Sequence, residues 1–189
     1  TVQLGKLGVQ SIVNSMGVFV SAAFAAVNRI DDFAYMPQQN IAHAMTALMA
    51  QNKGAKKTDR IKAAFRCGMK IELFYGIFIF FVCFFLAHPL MQLFSNDPVV
   101  CKHGVTYLKL ISLMYLFPAV TNGVQGYFRG IGDLKITLIS SFVNMSVRVI
   151  FAAVLVFHFS LQIEALPFSY LAGWIGMLLA EVPLLLRKF

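Results

Sequence analysis

Between Asn28 and Thr46, polar and titratable side chains recur every three or four residues: Asn28, Asp32, Tyr35, Gln39, His43 and Thr46. On a helix advancing about 100° per residue these fall in one narrow stripe, with Phe33, Ile41, Ala44 and Leu48 off it. The chemistry open to such a stripe is reversible binding. A carboxylate at Asp31 or Asp32, withdrawn from water, can take up and release a proton or hold a cation. Arg29 lies three residues before Asp32, so an ion pair that only holds the helix in place is the competing reading. His43 can titrate near neutral pH, with simple packing as its alternative. Gln39, and much later Asn122 and Gln125, offer uncharged hydrogen bonds to a solute or between helices.

Bond-making chemistry finds no such support. The chain has no HExxH, no Gly-x-Ser-x-Gly and no clustered metal ligands, and His43, His88, His103 and His158 stand on separate segments. Gly130-Ile131-Gly132 is not a dinucleotide fingerprint, because Lys135 stands where the third glycine belongs. The three cysteines are scattered and suggest packing rather than a disulfide framework. The expectation is a protein that is not an enzyme and has no organic cofactor and no resident metal.

The elements that must position the stripe belong to a membrane. Of 189 residues, 59% are hydrophobic and 13% charged, against about 45–50% and about 25% in soluble domains. Hydrocarbon does not tolerate the polar stripe, which must face a partner helix or a water-filled cavity. Pro37 removes one helical hydrogen bond in its middle and predicts a kink. The net charge of +8 is gathered between apolar runs, so it speaks for topology and not for nucleic acid. Residues 53–66 hold six basic residues and one acidic and are placed in the cytoplasm. Within them Thr58 is expected to cap a short helix, with Ile61, Ala64 and Phe65 on lipid.

Residues 7–27 carry no charge. They are either one span or two pieces that break near Asn14–Gly17. Residues 71–87 form the clearest span, with Glu72 at its cytoplasmic end, and Asn96-Asp97-Pro98 makes an outer turn. Residues 107–128 return, kinked by Pro118, and 129–135 form a second basic cytoplasmic loop, in which Arg129 and Asp133 act as a loop clamp. Residues 136–160 carry Asn144 and Arg148, an intramembrane arginine that is costly and seldom faces lipid. After an outer turn at 161–164, residues 165–186 span inward, and Arg187-Lys188 close the chain in the cytoplasm. Thr1 follows no n-region and no cleavage site, and the chain is read as lacking its natural start.

The segments SIVNSMG, AAFAAVNRIDDFAYMP, ALMAQNKGAKKTDR and GYFRGIGDLK, with a late VRV, resemble the multidrug and toxic compound extrusion (MATE) transporters. The DinF-like branch and the second half of such a protein are the nearest in pattern. The matching positions are Asn14, Ser15, Gly17, Asn28 to Asp31, Pro37, Gln51, Asn52, Gly54, Ala55, Arg129, Gly130, Gly132, Asp133, Val147 and Arg148. Where the family has a polar Gly-Thr-Asp turn, this chain has Gly17-Val18-Phe19.

The resemblance implies an all-α integral membrane protein with residues 1–189 as one C-terminal transmembrane lobe. That lobe would hold about five and a half of twelve helices, and its partner, the N-terminal lobe, would be missing. It implies a break in residues 7–27, with helices at about 19–52, 62–88, 99–128, 134–160 and 164–186. It further implies a secondary antiporter of the plasma membrane, C-terminus inside, that exports organic cations or other toxic compounds in exchange for H⁺ or Na⁺. A flippase of lipid-linked precursors and a non-transporting membrane fragment are the alternatives. The substrate or ion site would gather Asn28, Asp31, Asp32, Tyr35, Gln39, His43, Asn122 and Gln125, with Asp32 as the coupling charge. Arg29, Pro37, Arg129, Asp133 and Arg148 would be structural or coupling residues.

Overall fold

The computed structural model describes residues 2–159 and 163–188, and among them every regular element is a helix. In chain order these are α1 (Val2–Ser15), α2 (Val18–Gly54), α3 (Thr58–Phe85), α4 (Ala87–Gln92), α5 (Pro98–Ser112), α6 (Leu116–Gly130), α7 (Leu134–Phe157) and α8 (Ala165–Lys188). The 37 residues of α2 make a rod of roughly 55 Å, and α3, α5 and α6 pack along it. α7 and α8 pair with each other, and α1 lies on α7. Residues 7–27 are two pieces. Gly17 has φ 102°, a left-handed conformation that only glycine adopts without strain, so the chain turns there. Pro37 lies inside α2 without ending it.

Small residues decide how closely α6 approaches α2. Gly126 and Gly130 are one turn apart on the facing side of α6. A Cβ on Gly126 would stand 3.0 Å from the Ala42 carbonyl oxygen, and one on Gly130 3.0 Å from that of Thr46. The contact is backbone against backbone, which is how membrane helices gain dispersion energy and weak polar contacts without a hydrophobic driving force. Thr46 Oγ1 adds a hydrogen bond to the Gly126 carbonyl at 3.2 Å. Below this seam Met45, Met49, Ile61, Val124, Tyr127 and Phe128 form one apolar cluster.

Four local expectations are corrected. The helix expected over 99–128 is two, α5 and α6, bent by 51°. The proline ring of Pro118 clashes with the carbonyl four residues earlier, that of Met114, so the ladder breaks at 113–115. In α6 Pro118 occupies the first turn, where no N–H is needed. Thr58 is the first helical residue and not the cap. Lys56 turns the chain with φ 55°, and Lys57 takes the cap position without a side-chain bond. Ile61 and Ala64 are buried in the cluster with Met45 and Met49 instead of facing lipid, because α3 begins earlier and packs on α2 and α6. Glu72 is not at the end of a helix but midway along α3, fully buried, with neither carboxylate oxygen bonded.

The Asn96–Pro98 turn forms as its residues dictate: Asp97 Oδ1 accepts from Val99 N at 2.8 Å and Val100 N at 3.2 Å, and Pro98 opens α5. Of the outer turn at 161–164, residues 161 and 162 lie outside the described residues.

The outside of the bundle is apolar. Phe74, Phe78, Phe81 and Phe85 repeat at helical spacing on α3, all exposed, and Leu138, Phe142, Ile150 and Phe157 do so on α7. Water does not stabilise such continuous stripes; lipid does. By length and composition α3, α7 and α8 can each cross a bilayer, and the bent pair α5–α6, taken together as one broken helix, meets the same length and composition. α2 falls outside that set through its own Arg29, Asp31, Asp32, Gln38, Gln39, Asn40 and His43. The chain is a multi-pass, all-α membrane protein.

Candidate substrate cavity

α1, α2, α6, α7 and α8 line an open cavity of about 700 Å³. α2 contributes Asn28, Asp31, Asp32, Tyr35 and Gln39; α6 contributes Thr121, Asn122 and Gln125; α7 contributes Ser141, Asn144 and Arg148. Lys6 and Gln10 of α1 and Tyr170 and Trp174 of α8 complete it. The polar face of α2 thus finds a cavity, and the second polar face, on α6, stands across from it.

Asp31 is the anchored member. It is 5% exposed, and its Oδ1 accepts a hydrogen bond of 2.5 Å from the Tyr115 hydroxyl. Tyr115 is fully buried at the break between α5 and α6. The bend that Pro118 imposes therefore presents the phenol to the acid. Tyr35 meets the Tyr115 ring edge-on at 5.6 Å and the Trp174 ring at 6.5 Å, and Tyr170 lies 6.1 Å from Trp174. The Arg148 guanidinium sits 3.0 Å above the centre of the Tyr170 ring. Acid, phenols, indole and guanidinium make a polar, flat-walled chamber suited to holding an aromatic solute.

Asp32 lines the same cavity but is exposed, as is Arg29. Among the described residues no ion pair joins Arg29 to Asp32, so the helix-holding pair is absent. Arg29→Gln is accordingly expected to change the melting temperature in detergent by no more than a surface substitution does, about 0.5 kcal/mol in stability; a loss above about 2 kcal/mol would restore the pairing idea.

His43 is exposed and lies outside the cavity, and Thr46 turns to α6 instead. The stripe drifts: 15 residues at about 100° leave a residual rotation of about 60°, enough to carry its far end off the wall. Pro37 is not a lining residue either. Arg129 Nε donates to its own helix at Gln125 O, 3.3 Å. Asp133 pairs with Lys188, tying the α6–α7 loop to the end of α8, while Lys53 donates to the Ile131 carbonyl and ties the same loop to α2.

Several functional candidates escaped the sequence reading. Gln38 is 1% exposed with both amide atoms unbonded, although its neighbour Gln39 was the one on the stripe. Tyr170, Trp174 and Met177 form an i, i+4, i+7 face on α8 that was available as a signal. Lys6 and Ser141 carried none. Glu181 is buried, its Oε1 accepting from Ser140 Oγ at 2.5 Å, and Gln125 Nε2 donates to Ser141 Oγ at 3.3 Å, so polar contacts tie α7 to α8 and α6 to α7. Among the described residues no group of three or more His, Cys, Asp or Glu could hold a metal ion.

Known proteins share this build. The chain is 27% identical over 176 residues to the probable multidrug resistance protein YoeA of Bacillus subtilis, matching 93% of itself and 36% of that protein. It is 25% identical over 150 residues to the probable multidrug resistance protein NorM of Thermotoga maritima, covering 79% of itself and 31% of that relative. It spans about a third of the length of these curated relatives. A multidrug resistance MATE family transporter of the MOP superfamily, solved in an outward-facing conformation, superposes with a TM-score of 0.92 at 13% identity over 99% of this chain and 42% of that one. At that identity the likeness is one of fold. The MatE family model matches residues 1–154, most of the 189, and by that match the chain belongs to the MatE family.

Proposed function

We infer that this chain is one lobe of a plasma-membrane secondary antiporter that exports organic cations or other toxic amphipaths in exchange for H⁺ or Na⁺, the opposite wall of the path being supplied by a second, N-terminal lobe. The observation that carries the reading is the buried Asp31 on a polar cavity wall. A carboxylate there serves two ligands in turn, a coupling cation and a cationic solute, and competition for it gives exchange. Asp31 replaces Asp32 as the coupling charge, because Asp31 is buried and held by the Tyr115 hydroxyl while Asp32 lies exposed on the cavity wall. The relatives' names, probable multidrug resistance proteins, support a toxic-compound substrate.

The test is dye uptake into inside-out vesicles that contain the chain alone or together with the N-terminal half of YoeA. Uptake driven by an H⁺ or Na⁺ gradient is expected with both halves present. Its absence with both halves inserted in the membrane would sink the reading.

The orientation that belongs to this reading puts 53–66, 129–135 and the C-terminus in the cytoplasm, and 95–103 with the 161–164 turn outside, following the basic clusters. With Cys67, Cys83 and Cys101 replaced, a cysteine at Lys57 is expected to resist an impermeant thiol reagent on intact cells and to react after lysis. Labelling on intact cells would invert the topology.

A further inference from the structure

Gln125, Ser141 and Met177 line the cavity. One helical turn from them stand Arg129 on α6, Thr137 on α7 and Glu181 on α8. All three are displaced toward the end of the bundle where Asp133 meets Lys188. Glu181 is 0% exposed and has no part in the export reading. Gln125 and Arg129 face its carboxyl from α6, and the Ser140 hydroxyl touches it from α7. Among the described residues no ion pair joins Arg129 to Glu181.

Hydrogen counting favours a protonated carboxyl. The Ser140 hydroxyl carries one hydrogen and has two acceptors in reach, Glu181 Oε1 at 2.5 Å and the Thr137 carbonyl at 3.2 Å. An ionised Glu181 takes that hydrogen and leaves Oε2 an anionic oxygen, out of solvent and unbonded, which a low-dielectric interior penalises. With a proton on Oε1 the carboxyl donates to Ser140 Oγ and the hydroxyl donates to the Thr137 carbonyl. Both hydrogens then have acceptors, and Oε2 is a neutral carbonyl oxygen. When the proton leaves for water, the Ser140 hydrogen returns to Oε1, and the Arg129 guanidinium supplies a countercharge from the adjacent helix. The only unpartnered buried side-chain oxygens of the cluster are Oε2 and Thr137 Oγ1. They are too few to replace the water shell of Na⁺, and Arg129 repels a metal cation.

We propose that Glu181 is a second proton site, separate from Asp31, which holds a proton between the cavity and the end of the bundle that carries the basic clusters and gives it up to water there. Intramembrane acids facing a bundle interior serve as such relay points. The proposal rests on the reading of the chain as a lobe of an antiporter, and it names the inner end of the proton's route.

The 189-residue chain is placed in phosphatidylcholine nanodiscs and treated with dicyclohexylcarbodiimide, which modifies protonated carboxyls in apolar surroundings. Peptide mass spectrometry then locates the modified residues. Glu181 is expected to be modified at neutral pH, less as the pH is raised, and equally in NaCl and KCl. Infrared spectra at neutral pH are expected to show the carbonyl band of protonated carboxylic acids, and Glu181→Gln should lose one carboxyl's share of it. The amide keeps the shape and can donate to Ser140 Oγ as the acid does, so the variant should fold. With both lobes in inside-out vesicles, Glu181→Gln is expected to lose gradient-driven dye uptake while dye-for-dye counterflow, which needs no proton, continues.

An unmodified Glu181 at neutral pH, with the acid band undiminished in Glu181→Gln, overturns the proton site and leaves the export reading standing. If the variant does not insert, the modification of the wild-type chain decides. Protection of Glu181 by NaCl and not by KCl makes the ligand sodium and overturns the proton. Wild-type uptake by Glu181→Gln overturns the place of Glu181 in the route. A protonated Glu181 in reunited wild-type lobes that show no gradient-driven uptake removes export and leaves the proton site.

Discussion

Asp31→Asn, introduced into the chain working with its complementary lobe, is expected to reduce gradient-driven export to the level of empty membranes while the protein still folds. The amide has the shape of the carboxylate, and its oxygen can still accept the hydrogen bond that Tyr115 now gives Asp31 at 2.5 Å. What disappears is the charge for which proton or sodium and solute compete. The stability cost is therefore small, and the loss lies in coupling.

Two companions separate this from a structural role. Tyr115→Phe removes the donor and leaves a buried acceptor without its partner, which is expected to cost about 1–3 kcal/mol of stability with some export retained. Asp32→Asn changes an exposed carboxylate and is expected to alter export by no more than about threefold, roughly 0.6 kcal/mol. Abolished export in Asp32→Asn together with intact export in Asp31→Asn would reverse the assignment. The measurement is initial uptake rate in inside-out vesicles, normalised to inserted protein, beside melting temperature in detergent.

The second large effect is expected at the seam between α2 and α6. A leucine at Gly130 begins with a Cβ 2.7 Å from that of Met49 and 3.0 Å from the Thr46 carbonyl oxygen. Neither backbone can yield locally, because both belong to helices tied to each other along their length. Overpacking of a tight contact costs about 1–3 kcal/mol, and at a backbone contact the upper end applies. Gly126→Leu meets the Ala42 carbonyl oxygen at 3.0 Å in the same way. The double variant is expected to lose its melting transition, or to be degraded in cells. Gly54→Ala, where a Cβ meets nothing within 4 Å, is the matched control and should melt with the parent. An unchanged melting temperature in Gly130→Leu would show that α6 does not sit against α2 as described.

The amino-acid sequence by itself determined the solvent and the element type. Apolar runs long enough to span a bilayer, charges collected between them and a polar stripe at helical spacing leave only a helical membrane bundle, since lipid satisfies no backbone group. It also determined that the stripe on α2 and the face of Asn122 and Gln125 on α6 must be sheltered, and the two border one cavity. Asn96-Asp97-Pro98 carried its own turn and helix start, because capping is a contact among neighbours.

The tertiary structure alone decided which acid is buried. Asp31 and Asp32 are adjacent and chemically identical, and 100° of helix rotation puts one under Tyr115 and the other exposed on the cavity wall. No sequence rule places Tyr115 there. It arrives through a break whose cause, Pro118, was visible but whose position, one turn earlier, follows from the clash with the carbonyl of Met114. The same rotation takes His43 off the wall and turns Gln38 inward. Arg148 meeting Tyr170 is a contact between α7 and α8, and whether an intramembrane arginine is paired, stacked or free depends on what the neighbouring helix presents at that height, which only their packing sets.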